Sequence, residues 1–207
     1  SVEKSGQKEF EFEHGKDYGE YIKRFNPTFA KALVRYNPRG DKDLNQRQLS
    51  RLKELSDFCK REDYRFLIEP LVVATDEQSK SYDKESYDKQ LRPKLMIEMV
   101  SEMRDYGIEP DIWKIEGLEK REDYERFVEV IGPNSKAIIL GRGADDSQVK
   151  KWLKAGRGVK GVIGFAIGRT IFWQALLNYR DNKIDKETAI SEIAERYQEF
   201  YNYYLNK

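Results

Sequence analysis

Short apolar runs rich in β-branched residues alternate with longer amphipathic segments along this chain. The runs cover residues 29–36, 66–73, 111–116, 136–140 and 161–167. Regular strand–helix alternation of this kind predicts parallel strands joined by right-handed crossovers. Most of the runs are continuously apolar, which is typical of strands covered on both faces. The pattern therefore predicts an α/β fold built from five strand–helix units.

The segments between the runs carry apolar residues at helical spacing. Leu49, Leu52, Leu55 and Phe58, for example, fall three residues apart and share one helical face. The predicted helices cover residues 44–60, 91–106, 119–131, a segment ending at 155, 172–179 and 186–205. Asp145 or Asp146 is expected to cap the helix that ends at residue 155. The polar, lysine-rich segment 75–86 shows no apolar pattern and is predicted to be a loop.

Two α/β architectures fit the alternation: an open, doubly wound sheet and part of a (β/α)₈ barrel. No G-x-G-x-x-G dinucleotide fingerprint opens a helix after an early strand. If the last two runs are strands 7 and 8 of a barrel, residues 1–207 form a single domain made of the last five β/α units. The N-terminal strands, namely strands 1 and 2 and most of strand 3, would then be missing.

The ends of the last two runs carry glycine and arginine. Gly141, Arg142 and Gly143 follow the fourth run, and Gly168 and Arg169 follow the fifth. Phosphate binds in many barrels at the loops after strands 7 and 8. Glycine lets backbone N–H groups approach a phosphate, and arginine supplies a bidentate charged fork. These residues are the predicted phosphate site.

Lys114 is the most informative residue of the third run. Strand alternation points Lys114 and Glu116 to the same face, which in a barrel is the interior mouth. A partly desolvated lysine at this place can act as an amine nucleophile and form a Schiff base with a ketone. The alternative is a lysine that forms a structural ion pair with Glu116 or Glu69.

Further charged residues fall near the same mouth. Glu69 in the second run and Glu116 in the third are candidates for proton transfer. Lys31 and Arg35, four residues apart in the first run, share a face. Lys31 is a candidate catalytic residue and Arg35 a candidate for substrate binding. An ion-pair network without catalytic role would use the same residue types.

Composition excludes several function classes. The chain has 38 Lys and Arg against 37 Asp and Glu, which gives no support for a nucleic-acid or membrane-surface partner. The single cysteine, Cys59, favours a cytoplasmic location and is expected to be a packed helix residue. No cluster of His and Cys is placed to hold zinc, and His14 is expected at the surface. We therefore expect no metal and no cofactor.

Five motifs carry a family resemblance. They are EKSGQ at 3–7, VRYNP at 34–38, WKIEG at 113–117, LGRGAD at 140–145 and GFAIGRT at 164–170. With these motifs the whole chain resembles the DUF2090 family, which occurs alone or fused behind the sugar kinase of myo-inositol catabolism. The resemblance implies a barrel similar to 2-deoxy-5-keto-gluconate 6-phosphate aldolase. The implied products are dihydroxyacetone phosphate and malonate semialdehyde.

A more distant resemblance is to the class I tagatose-bisphosphate and sulfosugar-phosphate aldolases. Their strand 6 carries Lys-x-Glu, which matches Lys114 and Glu116 here. Their strand 4 lysine matches Lys31, their strand 5 glutamate matches Glu69, and their final Gly-Arg matches Gly168 and Arg169. This resemblance implies that Lys114 is the Schiff-base residue and that Arg169 belongs to the phosphate site.

The chain departs from these families in its N-terminal part, which is shorter. Five parallel strands cannot close such a barrel, and open parallel edges favour aggregation. We therefore expect a partner chain or segment to supply the missing strands, or a homo-oligomer. Two other functions stay open: a non-catalytic module that binds or senses a sugar phosphate, and an aldolase for another ketose phosphate.

Overall fold

The computed structural model describes residues 1–206 and contains one five-stranded parallel sheet. The strands are β1 (Phe29–Arg35), β2 (Arg65–Leu71), β3 (Ile112–Glu116), β4 (Lys136–Leu140) and β5 (Val162–Ala166). They lie side by side in chain order, and each is parallel to its neighbours. The predicted α/β fold with five strand–helix units is confirmed.

Nine α-helices lie before, between and after the strands in the described part of the chain. They are α1 (Tyr18–Phe25), α2 (Lys42–Arg61), α3 (Asp76–Ser81), α4 (Lys84–Ser86), α5 (Arg92–Asp105), α6 (Arg121–Ile131), α7 (Asp146–Gly156), α8 (Arg169–Arg180) and α9 (Lys186–Leu205). A 3₁₀ turn, Gly15–Asp17, precedes α1, and a π-helical turn, Tyr87–Leu91, leads into α5. Asp145 caps α7 by accepting a hydrogen bond from the Gln148 N–H, as predicted.

The prediction of a loop over residues 75–86 was wrong. This segment contains α3 and α4, although neither helix buries a residue. Thr75 and Gln78 form a capping box at the start of α3, and Asp83 caps α4. Local capping therefore stabilises helices that have no apolar face, and hydrophobic periodicity cannot detect them.

Strand alternation divides the sheet into a buried face and a half-exposed face. Ala32, Ile68, Trp113, Ile115 and Ile139 on the first face are fully buried among the helices. The opposite face carries partly exposed side chains. They include Lys31, Leu33, Glu69, Leu71 and Lys114. The prediction that the strands are covered on both faces was therefore wrong, because only one face is covered by helices.

The sheet is open, with β1 and β5 as its two edges. Part of the β1 edge is covered by the N-terminal segment, whose Val2 N–H donates to the Lys31 carbonyl at 2.9 Å. At the other edge, Ile163 on β5 is 57% exposed. One continuous hydrophobic cluster nevertheless reaches from Val2 to Phe200. Within the described residues, every helix is too short or too polar to cross a membrane.

Candidate functional site

The predicted site residues gather at the C-terminal end of the sheet. Parallel strands all end on the same side, so residues near the ends of β1, β2 and β3 meet the loops that follow β4 and β5. A cleft of about 700 Å³ opens at this end of the sheet. Its lining includes Arg35, Glu69, Tyr87, Glu116, Arg142 and Arg169.

Two lysines share one carboxylate on the half-exposed face of the sheet. The Lys114 Nζ lies 3.1 Å from Glu69 Oε2, and the Lys31 Nζ lies 3.2 Å from the same oxygen. Lys31 also contacts Glu3 Oε1 at 2.7 Å. Charges of opposite sign therefore alternate from Glu3 to Lys114, and we call these four residues the lysine–glutamate cluster. Glu69 is its shared acceptor.

The side chains of this cluster are largely buried but remain partly exposed to solvent. The side chains of Lys31 and Lys114 are 24% and 23% exposed, and those of Glu3 and Glu69 are 11% and 13% exposed. Of these four residues Glu69 lines the cleft, and its carboxylate joins both amines to the cleft wall. Of the two partners that the sequence offered for Lys114, the structure pairs it with Glu69.

Glu116 belongs to a second, deeper network. Its carboxylate forms an ion pair with Arg142 Nε at 2.9 Å and accepts a hydrogen bond from the Val72 N–H at 2.9 Å. Asp88 joins Arg142 to the buried Arg92, at 2.9 Å and 3.0 Å. Burial would lower the pKa of the Arg142 guanidinium, but Glu116 and Asp88 outweigh burial and raise it. Arg142 is therefore already neutralised by two carboxylates.

The loops after β4 and β5 bring the remaining predicted residues together. Gly143 adopts φ +70°, and a Cβ at this position would lie 3.0 Å from the guanidinium of Arg169. The Thr170 hydroxyl donates to the Ala144 carbonyl at 2.8 Å, which joins the two loops. Gly168 precedes α8, and its place at the helix N-terminus has no capping side chain. Gly143, Gly168 and Arg169 thus lie side by side.

Gly141 and Arg142 have different surroundings in the same loop. A Cβ at Gly141 would lie 3.1 Å from the Ile167 side chain, so this glycine allows close packing between the loops. Arg142 has φ 51°, in the left-handed region that non-glycine residues seldom adopt. This conformation accompanies the contacts of its side chain with Asp88 and Glu116.

Arg35 and Arg169 carry charges that no carboxylate neutralises within the described residues. The Arg35 guanidinium donates to the Gln7 carbonyl at 2.7 Å and forms no ion pair. Arg169 is exposed at the start of α8, and its side chain forms no hydrogen bond with residues 1–206. Both line the cleft, one from β1 and the other from the loop after β5.

Four residues of the site were missed by the sequence analysis: Glu3, Tyr87, Asp88 and Arg92. Tyr87 donates to the Val72 carbonyl at 3.1 Å, and burial, with the nearby Glu116 charge, raises the pKa of its phenol to about 12. The Asp88–Arg92 pair has i, i+4 spacing, which is a helical signal that was available in the sequence. Glu3 belonged to the EKSGQ motif, but nothing in the sequence indicated its ion pair with Lys31, because only the fold brings the two residues together.

Two residues expected to lie outside the site do so. Cys59 is buried on α2, and burial raises the pKa of its thiol to about 12, so the prediction of a packed helix residue is confirmed. His14 is exposed and its ring stacks against Tyr21, with 3.9 Å between ring centroids. Among residues 1–206 no group of three or more His, Cys, Asp or Glu side chains is placed to hold a metal ion.

Solved structures with the same arrangement of strands and helices include aldolases. Fructose-bisphosphate aldolase from Slackia heliotrinireducens is 12% identical, with a TM-score of 0.57 over 90% of this chain and 59% of that chain. A Schiff-base-forming fructose-1,6-bisphosphate aldolase is 18% identical, with a TM-score of 0.53 over 75% of this chain and 55% of that chain. An archaeal fructose-1,6-bisphosphate aldolase, with its catalytic lysine bound to a carbinolamine intermediate, is 14% identical at a TM-score of 0.53.

These likenesses establish the fold. The chain spans little more than half the length of the aldolases that it matches, and its five strands correspond to that part of their barrels. No curated protein matches the chain. One family model, described as an uncharacterized protein conserved in bacteria, DUF2090, matches residues 1–207. The chain therefore belongs to the DUF2090 family.

Proposed function

We propose that this protein is a class I aldolase that forms a Schiff base between Lys114 and a phosphorylated keto sugar acid. The observation that carries the proposal is the 3.1 Å contact of the Lys114 amine with Glu69, whose carboxylate also binds Lys31. An amine that attacks a ketone needs a neighbouring group to take up its proton. Glu69 occupies that position at the open mouth of the cleft.

In this mechanism the proton of the Lys114 ammonium passes to Glu69, and the free amine adds to the substrate ketone. The carbinolamine then loses its hydroxyl as water, with a proton from Glu69, and becomes a protonated imine. A base removes the proton of the hydroxyl group β to the imine, the carbon–carbon bond breaks, and its electron pair enters the imine to give an enamine. Protonation and hydrolysis of the enamine release the ketone product and restore Lys114.

Lys31 has a supporting role in this proposal. It lies 3.2 Å from Glu69 Oε2 and 2.7 Å from Glu3, so it fixes Glu69 beside Lys114. Glu116 is held by Arg142 and the Val72 N–H, and in the proposal it shapes the cleft wall beside Lys114.

The phosphate of the substrate would bind at Gly143, Gly168 and Arg169. Arg169 lies against Gly143 without a carboxylate partner in the described chain, and the uncapped start of α8 offers backbone N–H groups to an anion. Gly141 and Arg142 support this loop. The candidate substrate, by resemblance to the family, is 2-deoxy-5-keto-gluconate 6-phosphate of myo-inositol catabolism, cleaved to dihydroxyacetone phosphate and malonate semialdehyde.

We further propose that other strand–helix segments complete the sheet into a closed barrel. The lysine–glutamate cluster lies on the half-exposed face, and β5 presents an unpaired edge. Closed barrels place this face in the interior, where side chains are shielded from water. Completion would bury Lys114 further and strengthen its contact with Glu69.

A binding module without catalysis is the second candidate. The pairing of both lysines with Glu69 favours it, since such a cluster also stabilises a fold without reacting. The phosphate site would be the same in both cases. The two functions differ in whether the Lys114 amine forms a covalent bond with a ketone.

The aldolase proposal can be tested with the ketone product alone, without knowing which aldehyde is the other product. Formation of an enamine from dihydroxyacetone phosphate exchanges one of the two C3 hydrogens with solvent, so the C3 proton signal should fall in D₂O containing the protein and EDTA. We expect the exchange to be lost in Lys114→Arg and retained in Lys94→Arg, whose lysine is exposed on α5. Exchange that survives Lys114→Arg, or its absence in the folded wild-type protein, would contradict the aldolase proposal.

A further inference from the structure

Two arginines that line the cleft, Arg35 and Arg169, have no carboxylate partner among the described residues. Arg35 is on β1, one edge of the sheet, and Arg169 follows β5, the other edge. Both line the same cleft. Neither guanidinium forms an ion pair with a carboxylate in the part of the chain that the structure describes, and the only recorded side-chain hydrogen bond of the two is from Arg35 to the Gln7 carbonyl.

Other charges that line the cleft have local partners. Glu69 is bound by Lys31 and Lys114, and Glu116 is bound by Arg142. Asp88 accepts from Arg142 and from Arg92, while Asp83 caps α4. The remaining lining cation, Lys84, lies exposed on α4 between Asp83 and Glu85. The cleft therefore has two strong positions for a ligand's negative charge.

The sheet sets the distance between these positions. Four strand-to-strand steps separate β1 from β5, and each step is roughly 5 Å. Both arginines line the cleft, so a ligand that contacts both must be an extended chain. Lys114 is on β3, the middle of the five strands, and Glu69, which binds its amine, lines the same cleft. A ligand that bridges the two arginines therefore passes across the middle of the sheet with an internal part of its chain.

We infer that the cleft takes an open-chain keto compound with an anionic group at each end, and that Arg35 binds the anion opposite the phosphate. This inference rests on the proposed function for the role of Lys114. It extends that function by assigning the binding of the second anion to one residue, Arg35. Arg35 is then the specificity residue that separates doubly anionic substrates from simple ketose phosphates. A carboxylate and a second phosphate offer the same oxygen pair to its planar guanidinium.

Two six-carbon probes isolate this effect, because they differ in one terminal group. 6-Phosphogluconate carries a phosphate and a carboxylate, whereas glucitol 6-phosphate carries the phosphate alone. Calorimetric titration of the full chain should give a Kd for 6-phosphogluconate lower by about tenfold or more, as expected for a charged hydrogen-bonded pair. Glucitol 1,6-bisphosphate, titrated in parallel, distinguishes a carboxylate site from a second phosphate site.

Three variants test which arginine binds which anionic group of the ligand. Arg35→Gln should remove the preference for 6-phosphogluconate and leave the Kd of glucitol 6-phosphate within about twofold, because that probe lacks the second anion. Arg169→Gln should weaken both probes equally. Arg39→Gln is the matched control, since Arg39 pairs with Glu98 outside the cleft lining.

The inference is overturned if wild-type protein binds the two six-carbon probes equally or binds neither, or if Arg35→Gln weakens both to the same extent. A folded state of every variant is checked by circular dichroism. The outcome is separate from that of the aldolase test. A protein that catalyses no exchange and still shows the Arg35-dependent preference refutes the proposed reaction and supports the two-anion site.

Discussion

The amine of Lys114 lies 3.1 Å from Glu69 Oε2, the same oxygen that Lys31 approaches at 3.2 Å. The lysines are on β1 and β3, the two strands that flank β2, and both pair with the single carboxylate of Glu69 on β2. Removal of that carboxylate takes away the contact that positions both lysines, which makes Glu69 the most sensitive residue of the cluster.

We predict that Glu69→Gln lowers the exchange of the dihydroxyacetone phosphate C3 proton by about 10²–10⁴-fold, the usual contribution of a general acid–base. The amide keeps the size of the side chain and cannot accept the proton. Proton NMR in D₂O measures the rate. Glu77→Gln, on the exposed face of α3, is the control and should keep the wild-type rate. An unchanged rate in Glu69→Gln would exclude Glu69 from proton transfer.

Arg142 is predicted to stabilise the fold through Glu116. In Arg142→Met the Glu116 carboxylate, 4% exposed, loses its closest cation, and breaking one half of a buried ion pair costs roughly 3–5 kcal/mol. We expect the lower end of that range, because the Arg142 side chain is 28% exposed. Urea unfolding measures the change.

Arg39→Met provides the comparison, because its pair with Glu98 is at the surface, where such pairs contribute less than about 1 kcal/mol. Equal losses of unfolding free energy in the Arg142 and Arg39 variants would show that Glu116 does not need Arg142.

Glu9 is predicted to make stability depend on pH at the N-terminal segment. Hydrogen bonds from Arg47 and Arg51 lower the pKa of Glu9 to about 2 in the folded protein. A carboxyl whose folded pKa is depressed stabilises the fold above its unfolded pKa, and this stabilisation is lost as pH falls through the folded pKa.

We therefore expect Glu9→Gln to lower the melting temperature slightly at pH 7 and by a smaller amount near pH 2, where wild-type Glu9 is partly protonated in the folded protein. Because both arginines are partly exposed, the effect at pH 7 is that of a surface pair, below about 1 kcal/mol per contact. A difference of the same size at both pH values would contradict the assignment of the effect to ionised Glu9.

The surface around β5, α8 and α9 is predicted to make the isolated chain self-associate. Eight of the ten large exposed hydrophobic side chains are Ile163, Trp173, Leu176, Tyr179, Ile190, Tyr197, Tyr201 and Leu205. A concentration of apolar groups on one side is typical of an interaction surface.

We expect the double variant Trp173→Gln, Leu176→Gln to bind less of the dye ANS and to sediment more uniformly than the wild-type protein. Phe25→Gln, which removes an equally exposed aromatic from the other side of the fold, is the matched control. Equal effects of the two changes would mean that the apolar surface on α8 has no special role.

Hydrophobic spacing predicted the strands and long helices because their apolar faces form the core. The bounds of β4 and α9, for example, agree with those expected from residues 136–140 and 186–205. Helix α1 was missed, although Tyr18 and Ile22 bury one face, because it is only eight residues long. The short helices near Thr75 depend on capping, which leaves no apolar period to detect.

Alternation along β3 puts the partly exposed Lys114 on the half-exposed face of the sheet, but alternation alone could not identify its ion-pair partner. Glu69 and Glu116 were equivalent candidates in the sequence. The fold decides between them, because Arg142, in its left-handed conformation, binds Glu116 and leaves Glu69 to the lysines. Contacts between residues far apart in the chain, such as Glu3 with Lys31, require the tertiary structure.

The most direct test of the central claim is borohydride reduction of the protein with dihydroxyacetone phosphate, followed by peptide mass spectrometry. Reduction converts an imine into a stable secondary amine and so marks the lysine that formed it. We predict one adduct, on Lys114, that is absent in Lys114→Arg and present in Lys94→Arg. An adduct on Lys31 instead, or no adduct in folded protein that binds 6-phosphogluconate, would contradict the account.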